Sequence, residues 1–342
     1  MAEPKPVRLA FVGAGNHSTA ALYPNLPLIP GVELVGVCDL QADRAERVAR
    51  AYGAKPFSNC AAMLDALNPD AVCACGMPDM HHGVAMQVLE RGIPVWIEKP
   101  PAPTLHQAKE LAAAAHRAGT FGMVGFMKRF APANVVTKEY LDSGRFGALA
   151  SVLLIHGSGP YGHLRPMLMF NGIHPIDSVR YFGGEVEAVH AFAHASTDGV
   201  QSVVVNLRFA SGVPGQLNLN SGGTWSDCYE YTYLAGHQAQ ATIVGCREAE
   251  IMSPAGRFAQ VPGIMPFGWS NRYYVSGTMS HWEAGGHYTR GYFGELDHFV
   301  RAVRGEVQPV ATLADGVEAM RLIDAIIASV EGRREVLLSD IV

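Results

Sequence analysis

Val7-Arg8-Leu9-Ala10-Phe11-Val12-Gly13-Ala14-Gly15-Asn16-His17-Ser18 decides the fold. The apolar run from Val7 to Val12 has strand length and passes straight into two glycines. Gly13-x-Gly15-x-x-Ser18 then opens a helix. Glycines in that place allow a tight turn and let the backbone approach a pyrophosphate, which rests on helix N–H groups. Ser18 stands where the pattern carries a third glycine, and a small residue there still packs against a sheet. Alone the pattern is weak, because a plain glycine turn reads the same way. It gains weight from Asp39 at the end of a second strand, about 20 residues on, where a carboxylate would bind the adenosine ribose hydroxyls. Asp39-Leu40-Gln41 offers no Arg or Lys for a 2′-phosphate, and Asp39 would repel one, which favours NAD over NADP. Asn16 and His17, at the start of the helix, join Gly13, Gly15 and Asp39 as candidate cofactor contacts.

Outward from that turn, strand and helix alternate. Strands are expected at 7–12, 32–39, 71–75, 95–97 and 121–126, and helices at 42–52, 60–67, 82–91 and 105–118. A further helix candidate at 18–28 is broken by Pro24 and Pro27. The alternation predicts a doubly wound parallel sheet with helices on both faces. After Lys128-Arg129-Phe130 the texture changes. Helices at 133–143 and 173–182 accompany β-patterned segments at 150–156, 186–193, 201–209, 215–221, 229–234 and 239–244. Segments 201–209 and 215–221 alternate as antiparallel strands with one polar face. Residues 261–287 read as long loops, and helices at 290–304 and 315–331 close the chain. The fold expected is α/β in two domains, 1–126 and 127–342, with the closing helices able to return to the first.

At 342 residues the chain exceeds the usual size of a single core. Hydrophobic residues make up 49% and charged residues 17%, ample material for two cores. A net charge of −5 without basic runs argues against nucleic acid as a partner. No stretch approaches the roughly 20 apolar residues that cross a bilayer. Met1-Ala2-Glu3-Pro4-Lys5-Pro6 holds no apolar signal region, so a cytoplasmic protein is expected. The six cysteines are scattered. Cys73 and Cys75 share one face of a strand, but no second Cys/His pair at finger spacing follows, so buried reduced thiols are expected and no metal site.

Gly92-Ile93-Pro94-Val95-Trp96-Ile97-Glu98-Lys99-Pro100 carries the strongest chemical signal. Lysines are usually surface residues. Lys99, however, leaves a strand end in a dinucleotide fold, where it can face the nicotinamide. A lysine near that positive ring would have a lowered pKa and suit proton exchange with a substrate hydroxyl. Glu98 either orients Lys99 or contacts the nicotinamide ribose. In Met77-Pro78-Asp79-Met80-His81-His82, the loop after the strand at 71–75 lines the crevice edge, while His82 equally reads as a capping or packing residue at a helix start. His174 and Asp177 lie one helical turn apart. Asp177 can fix the imidazole tautomer while the other ring nitrogen meets substrate, or the two are ordinary polar residues of a helix start.

Together these stretches, with Val124-Gly125-Phe126-Met127-Lys128-Arg129-Phe130, Gly172-Ile173-His174-Pro175-Ile176-Asp177 and Tyr292-Phe293-Gly294-Glu295-Leu296-Asp297-His298-Phe299, resemble the Gfo/Idh/MocA family over nearly the whole chain. The resemblance implies an NAD(P)-dependent oxidoreductase acting on sugars, cyclitols or their derivatives. It implies an N-terminal Rossmann domain and a C-terminal α/β domain with a large, open, mostly antiparallel sheet, through which members form homodimers or homotetramers. The family's catalytic Lys and His fall on Lys99 and His174. Pro78 and His82 match its cofactor-lining loop, and Arg129 matches a basic position near the cofactor. His156, Tyr161, Phe170, Asn171 and Asp177 join Lys99 and His174 as candidate contacts for a small carbohydrate substrate. One departure stands out. Many members carry an Asp four residues before the catalytic His, and here that position is Phe170. Asn171 is one residue out of register, so on a regular helix its side chain points elsewhere. The leading expectation is a sugar or cyclitol dehydrogenase. An alternative is a glycoside-cleaving enzyme that uses NAD transiently, with His156, Tyr161, His163 and His287 as its extra acid–base groups. A non-catalytic NAD-binding sensor ranks third.

Overall fold

The computed structural model describes residues 5–225, 228–253, 270–274 and 287–342. The chain forms two compact units. One runs through Met127 and takes up Tyr292–Met320; the other comprises Lys128–Gly291 and Arg321–Val342.

The first unit is built on six parallel strands: β1 Val7–Val12, β2 Val32–Cys38, β3 Lys55–Phe57, β4 Ala71–Ala74, β5 Val95–Ile97 and β6 Gly122–Val124. Their order is β3-β2-β1-β4-β5-β6. Helices α1 Ala42–Tyr52, α2 Cys60–Leu67, α3 Pro78–Leu89 and α4 Leu105–Ala118 make the crossovers. The chain winds outward from β1 to β3 and then returns to β4. That reversal opens a crevice at the carboxyl ends of β1 and β4. Every residue of β4 and β5 is buried, as expected of a sheet covered on both faces. Helix α4 shows why its ends fall where they do. The Thr104 hydroxyl accepts the Gln107 N–H at 3.2 Å, and Gly119 stops the helix at φ 64°.

Within the first unit, three features differ from the sequence expectation. Strand β3 is three residues long, too short for its pattern to register. Helix α3 begins at Pro78, not at 82, because proline at a first helical position sacrifices no hydrogen bond. The segment after the glycine turn is a π-turn over Ser18–Leu22 followed by a 3₁₀ stretch over Tyr23–Leu28 that contains Pro27.

In the second unit, helices α5 Pro132–Asp142, α6 Leu164–Met167 and α7 Ile173–Gly183 accompany β7 Leu149–Gly157, β8 Val186–Ala195, β9 Gln201–Phe209, β10 Pro214–Asn220, β11 Tyr229–Gly236, β12 Gln240–Val244, β13 Glu248–Met252 and β14 Ser270–Tyr274. Strand β13 was not anticipated. Strand β14 lies inside the segment expected to be loops; apart from it and His287, residues 261–287 fall outside the described residues. Helices α8 Tyr292–Val303 and α9 Leu313–Gly332 follow, and β15 Val336–Leu337 pairs with β8. Helix α8 belongs to the first unit, where it packs on the 18–28 segment; α9 belongs to it as far as Met320.

The second sheet has nine strands in the order β14-β13-β12-β11-β7-β10-β9-β8-β15. β10 runs parallel to β7 and the other neighbours are antiparallel. Helix α7 packs on β7 and β10, and α5 on β12 and β13, so one face is covered by helices. Among the described residues no helix is long and apolar enough to cross a membrane.

Candidate functional site

The glycine turn is held from three sides. The Gly13 N–H donates to Cys38 O at 2.7 Å, and its carbonyl accepts the Tyr23 hydroxyl at 3.2 Å. Gly13 has φ +102°, and a Cβ there would lie 1.9 Å from the Cys75 carbonyl oxygen, so no other residue fits. At Gly15 a Cβ would meet nothing within 4 Å, leaving open space beside the backbone. Asp39 Oδ2 accepts the Ala14 N–H at 2.7 Å and Oδ1 accepts the Gln41 N–H at 2.9 Å. One carboxylate thus ties the end of β2 to the turn and keeps lone pairs for further donors. Asn16 and His17 are exposed where the helix begins, and first-turn N–H groups have no partner within a helix. This cradle fits a dinucleotide: a backbone open at Gly15, first-turn N–H groups beyond it, and a fixed carboxylate on β2.

The ends of β4 and β5 are tied to the same frame. Glu98 is 3% exposed; its Oε1 lies 3.1 Å from His17 Nε2 and its Oε2 accepts the Lys99 backbone N–H at 2.8 Å. Burial works against its charge, but the His17 hydrogen bond and the Lys99 ammonium outweigh it and hold the carboxyl below its ordinary range. Glu98 therefore links the glycine-turn helix to the backbone of Lys99, which is half-buried. Pro78 is buried at the first position of α3. Beside it, fully buried His81 accepts the Gly76 N–H on Nε2 at 2.9 Å, so its Nδ1–H donates to Pro100 O at 2.8 Å. Burial lowers its pKa, in keeping with that neutral tautomer. His82 lies inside α3, with Nε2 3.0 Å from Glu110 of α4. It braces two helices, and His81 is the histidine that joins the strand-end loops. Glu295 of α8 is fully buried, and among the described residues neither of its oxygens meets a partner at full hydrogen-bond geometry, with the Trp96 indole as its polar neighbour. Burial, reinforced by the Glu98 charge, pushes the Glu295 carboxyl well above its usual range. Within this pair the charge is favoured at Glu98 and the protonated form at Glu295.

The second unit has its own cleft, lined among others by Lys128, His156, His174, Ser178, Glu230 and Cys246. His174 and His156 are buried, on α7 and near the end of β7. Strand register sets His156 directly opposite Glu230, with Nδ1 and Oε1 3.8 Å apart. Glu230 Oε1 pairs with the Lys128 ammonium, and Oε2 accepts the Cys246 thiol at 3.2 Å. Burial opposes the Glu230 charge, but Lys128 chiefly, with His156 and the two hydrogen bonds, brings its pKa down to about 2. Burial pushes the Cys246 thiol up to about 12, so it is a neutral donor. Arg129, next to Lys128, forms a bidentate pair with Asp177: Nε to Oδ2 at 2.9 Å and Nη2 to Oδ1 at 2.6 Å. Both Asp177 oxygens, expected to serve His174, thus receive Arg129, the side chain expected at the cofactor.

Leu168–Gly172 forms a π-turn immediately before α7. A π-turn holds one residue more than an α-turn, so the regular-helix register does not apply across Phe170 and Asn171. Asn171, expected to point elsewhere, lies with Nδ2 3.9 Å from Cys228 Sγ, two residues before Glu230. Phe170 is half-buried in the same turn. Tyr161 meets Trp225 edge-on at 5.1 Å. His163 is exposed just before α6, and His287 is half-buried.

Sequence reasoning passed over Glu230, Lys128, His81 and Glu295. Two left a signal. In 229–234, period two puts Glu230 on the face of buried Leu234, and in 292–303 a period near 3.6 puts Glu295 with Leu296 and Phe299.

A model of an oxidoreductase family with an NAD-binding Rossmann fold matches residues 7–126, and the model of that family's C-terminal alpha/beta domain matches 162–338. D-glucoside 3-dehydrogenase of Escherichia coli K12 is 33% identical over 145 residues, 42% of this chain and 41% of that protein. The scyllo-inositol 2-dehydrogenase (NAD(+)) of Bacillus subtilis 168 is 25% identical over 324 residues, 90% of each chain. Among solved structures, a dehydrogenase from Chromobacterium violaceum has a TM-score of 0.87 at 23% identity over 96% of this chain and 97% of that one, a likeness of fold. The chain spans 41–65% of the length of three curated relatives, the glucoside dehydrogenase among them.

Proposed function

The chain belongs to the Gfo/Idh/MocA oxidoreductase family, and from that premise we propose an NAD-dependent dehydrogenase acting on a hydroxyl-bearing carbon of a sugar, cyclitol or sugar derivative. NAD, when bound, supplies the hydride acceptor. The chain's own residues bind, orient and move protons. The N–H groups after Gly15 hold the pyrophosphate, with Asn16 and His17 at its edge. Asp39 accepts from the adenosine ribose hydroxyls and repels a 2′-phosphate, so NAD is preferred to NADP. Lys99 takes the proton of the reacting hydroxyl. His174 exchanges protons on the substrate side, while Asn171 and Tyr161 bind hydroxyls and Phe170 adds apolar surface. The observation that carries this reading is Glu98, whose single carboxylate joins the glycine-turn helix to Lys99. The proton-exchanging group is thereby built on the frame of the dinucleotide cradle. A panel of monosaccharides, inositols and aryl glycosides, followed for NADH and released aglycone together, tests it. NADH from at least one free polyol is expected; its absence throughout counts against the reading.

The cleft that sets His156 and Glu230 with His174 also holds the extra acid–base groups that a second reading needs. In it the protein oxidises a glycoside hydroxyl, eliminates the aglycone, adds water and re-reduces the sugar. Aglycone release without net NADH selects this reading.

We also propose a cytoplasmic homodimer or homotetramer joined through the nine-stranded sheet. Phe192, Tyr229, Val244 and Met252 are exposed on its strands, which supports burial there against a second copy. A monomer by light scattering at micromolar concentration would end that proposal.

A further inference from the structure

We infer that Glu230, clamped by Lys128 and Cys246, is a positioning residue that fixes the tautomer of His156, and that His156 is a further catalytic residue exchanging protons with the substrate. The inference rests on the dehydrogenase reading and adds a second imidazole to it.

The geometry begins with the strands. β7 and β11 are central, hydrogen-bonded neighbours, and His156 and Glu230 are directly opposed in their register. Opposed residues on one face of an antiparallel pair hold their Cβ atoms about 5 Å apart. Their mutual placement therefore belongs to the sheet and not to a loop, and sites on rigid elements are held more closely. Here Nδ1 of His156 stands 3.8 Å from Glu230 Oε1, longer than a hydrogen bond, and catalytic contacts of this kind often tighten only in the substrate complex.

The carboxylate cannot easily turn away. Lys128 pairs with Oε1, and the Cys246 thiol donates to Oε2 at 3.2 Å. Lys128 is itself fixed. Its ammonium lies 3.7 Å from Cys246 Sγ, and its carbonyl accepts Asn134 Nδ2 at 2.8 Å. Removing two such charges from water costs more than a pair of apolar residues would, so stability is weak grounds for the arrangement. An ionised acceptor facing an imidazole has a clear consequence. It selects the tautomer that carries its proton on Nδ1 and leaves Nε2 for the proton traffic.

His174 shares the cleft but is served differently. Asp177, one turn after it on α7, is occupied on both oxygens by Arg129. The turn at 127–130 thus sends adjacent cations to two carboxylates, Lys128 to β11 and Arg129 to α7. Among the described residues that line the cleft the carboxylate is Glu230, and the imidazole opposite it is His156. The other titratable groups around this cluster, among the described residues, are His174, Tyr231, Cys246, Cys228 and Arg290.

The test uses the full chain with NAD and a polyol that yields NADH. Glu230→Gln keeps the shape and removes the charge. We expect kcat to fall about tenfold to a hundredfold, with KM and NAD affinity within a few-fold. Lys128→Met combined with Glu230→Gln removes both buried charges together and should show the same kcat loss, because the missing carboxylate is responsible and not a damaged fold. Nitrogen-15 histidine spectra of the parent, assigned with His156→Gln, should show the proton of His156 on Nδ1. A double variant that turns over at the parent rate, or a parent His156 protonated on Nε2 alone, overturns the inference. If neither charge variant folds, the parent tautomer decides. A parent that forms no NADH from any polyol overturns the functional reading instead, and the tautomer result stands apart from that outcome.

Discussion

Replacing Arg129 with Met separates two roles for that side chain. Its guanidinium meets Asp177 through two short bonds, and the paired side chains are 11% and 1% exposed. An exposed pair of this kind contributes about 0–1 kcal/mol. This one is buried, and removing Arg129 takes its bidentate partner from a buried carboxylate, a loss of about 3–5 kcal/mol. For a unit of this size each kcal/mol moves the midpoint by about 2–4 °C, so Arg129→Met should lower melting of the second unit by roughly 6–20 °C. Arg129→Met combined with Asp177→Leu removes both charges and should recover most of the loss. Both partners belong to the second unit, so NAD affinity should stay within a few-fold of the parent. Calorimetry and an NAD titration on the three proteins read the two quantities separately. A single variant that loses less than about 1 kcal/mol would show a solvated pair. One that melts normally but binds NAD tenfold more weakly would return Arg129 to the cofactor and refute this reasoning.

Other expectations follow from the first unit. Glu295 binds its proton more tightly folded than unfolded, so its contribution favours folding at pH below about 4.3 and is lost as pH rises above that. Glu295→Gln should therefore be more stable than the parent at neutral pH, with an advantage that grows by up to about 1.4 kcal/mol per pH unit above that value and vanishes below it. Denaturant titrations from pH 4 to 8 check the sign, and an advantage that grew toward acid would contradict the protonated assignment. Asp39→Ser should weaken NAD by about tenfold or more, because a charged acceptor is lost from both Ala14 N–H and the ribose, while NADP changes little. Equal or tighter NADP binding by the parent would defeat the argument.

How much of this was legible depended on where the partners lie in the chain. The Rossmann half was readable because its signals are local: a strand running into Gly13, a carboxylate closing β2, and the Val95–Ile97 run before Lys99. The second sheet was largely readable from period-two patterning. In the cleft of the second unit His156 and His174 were named, but the partners of its charged groups were not, because those bonds are long-range. Lys128 finds Glu230 and Arg129 finds Asp177 across intervening strands and helices, and no local pattern encodes those choices. The spacing of His174 and Asp177 correctly set them on one helix, yet it could not reveal that Arg129 claims the carboxylate. Register reasoning at Phe170 and Asn171 rested on a premise the structure changes. It assumed a regular helix, and the chain makes a π-turn there.

The central claim is that Lys99 takes the hydroxyl proton beside the NAD cradle. Its most direct test is Lys99→Met, measured for NAD affinity and for NADH formation with a polyol that the parent oxidises. The account predicts NAD binding within a few-fold of the parent and turnover lower by about a hundredfold or more. Turnover at the parent rate, or NAD binding lost along with activity, would contradict it.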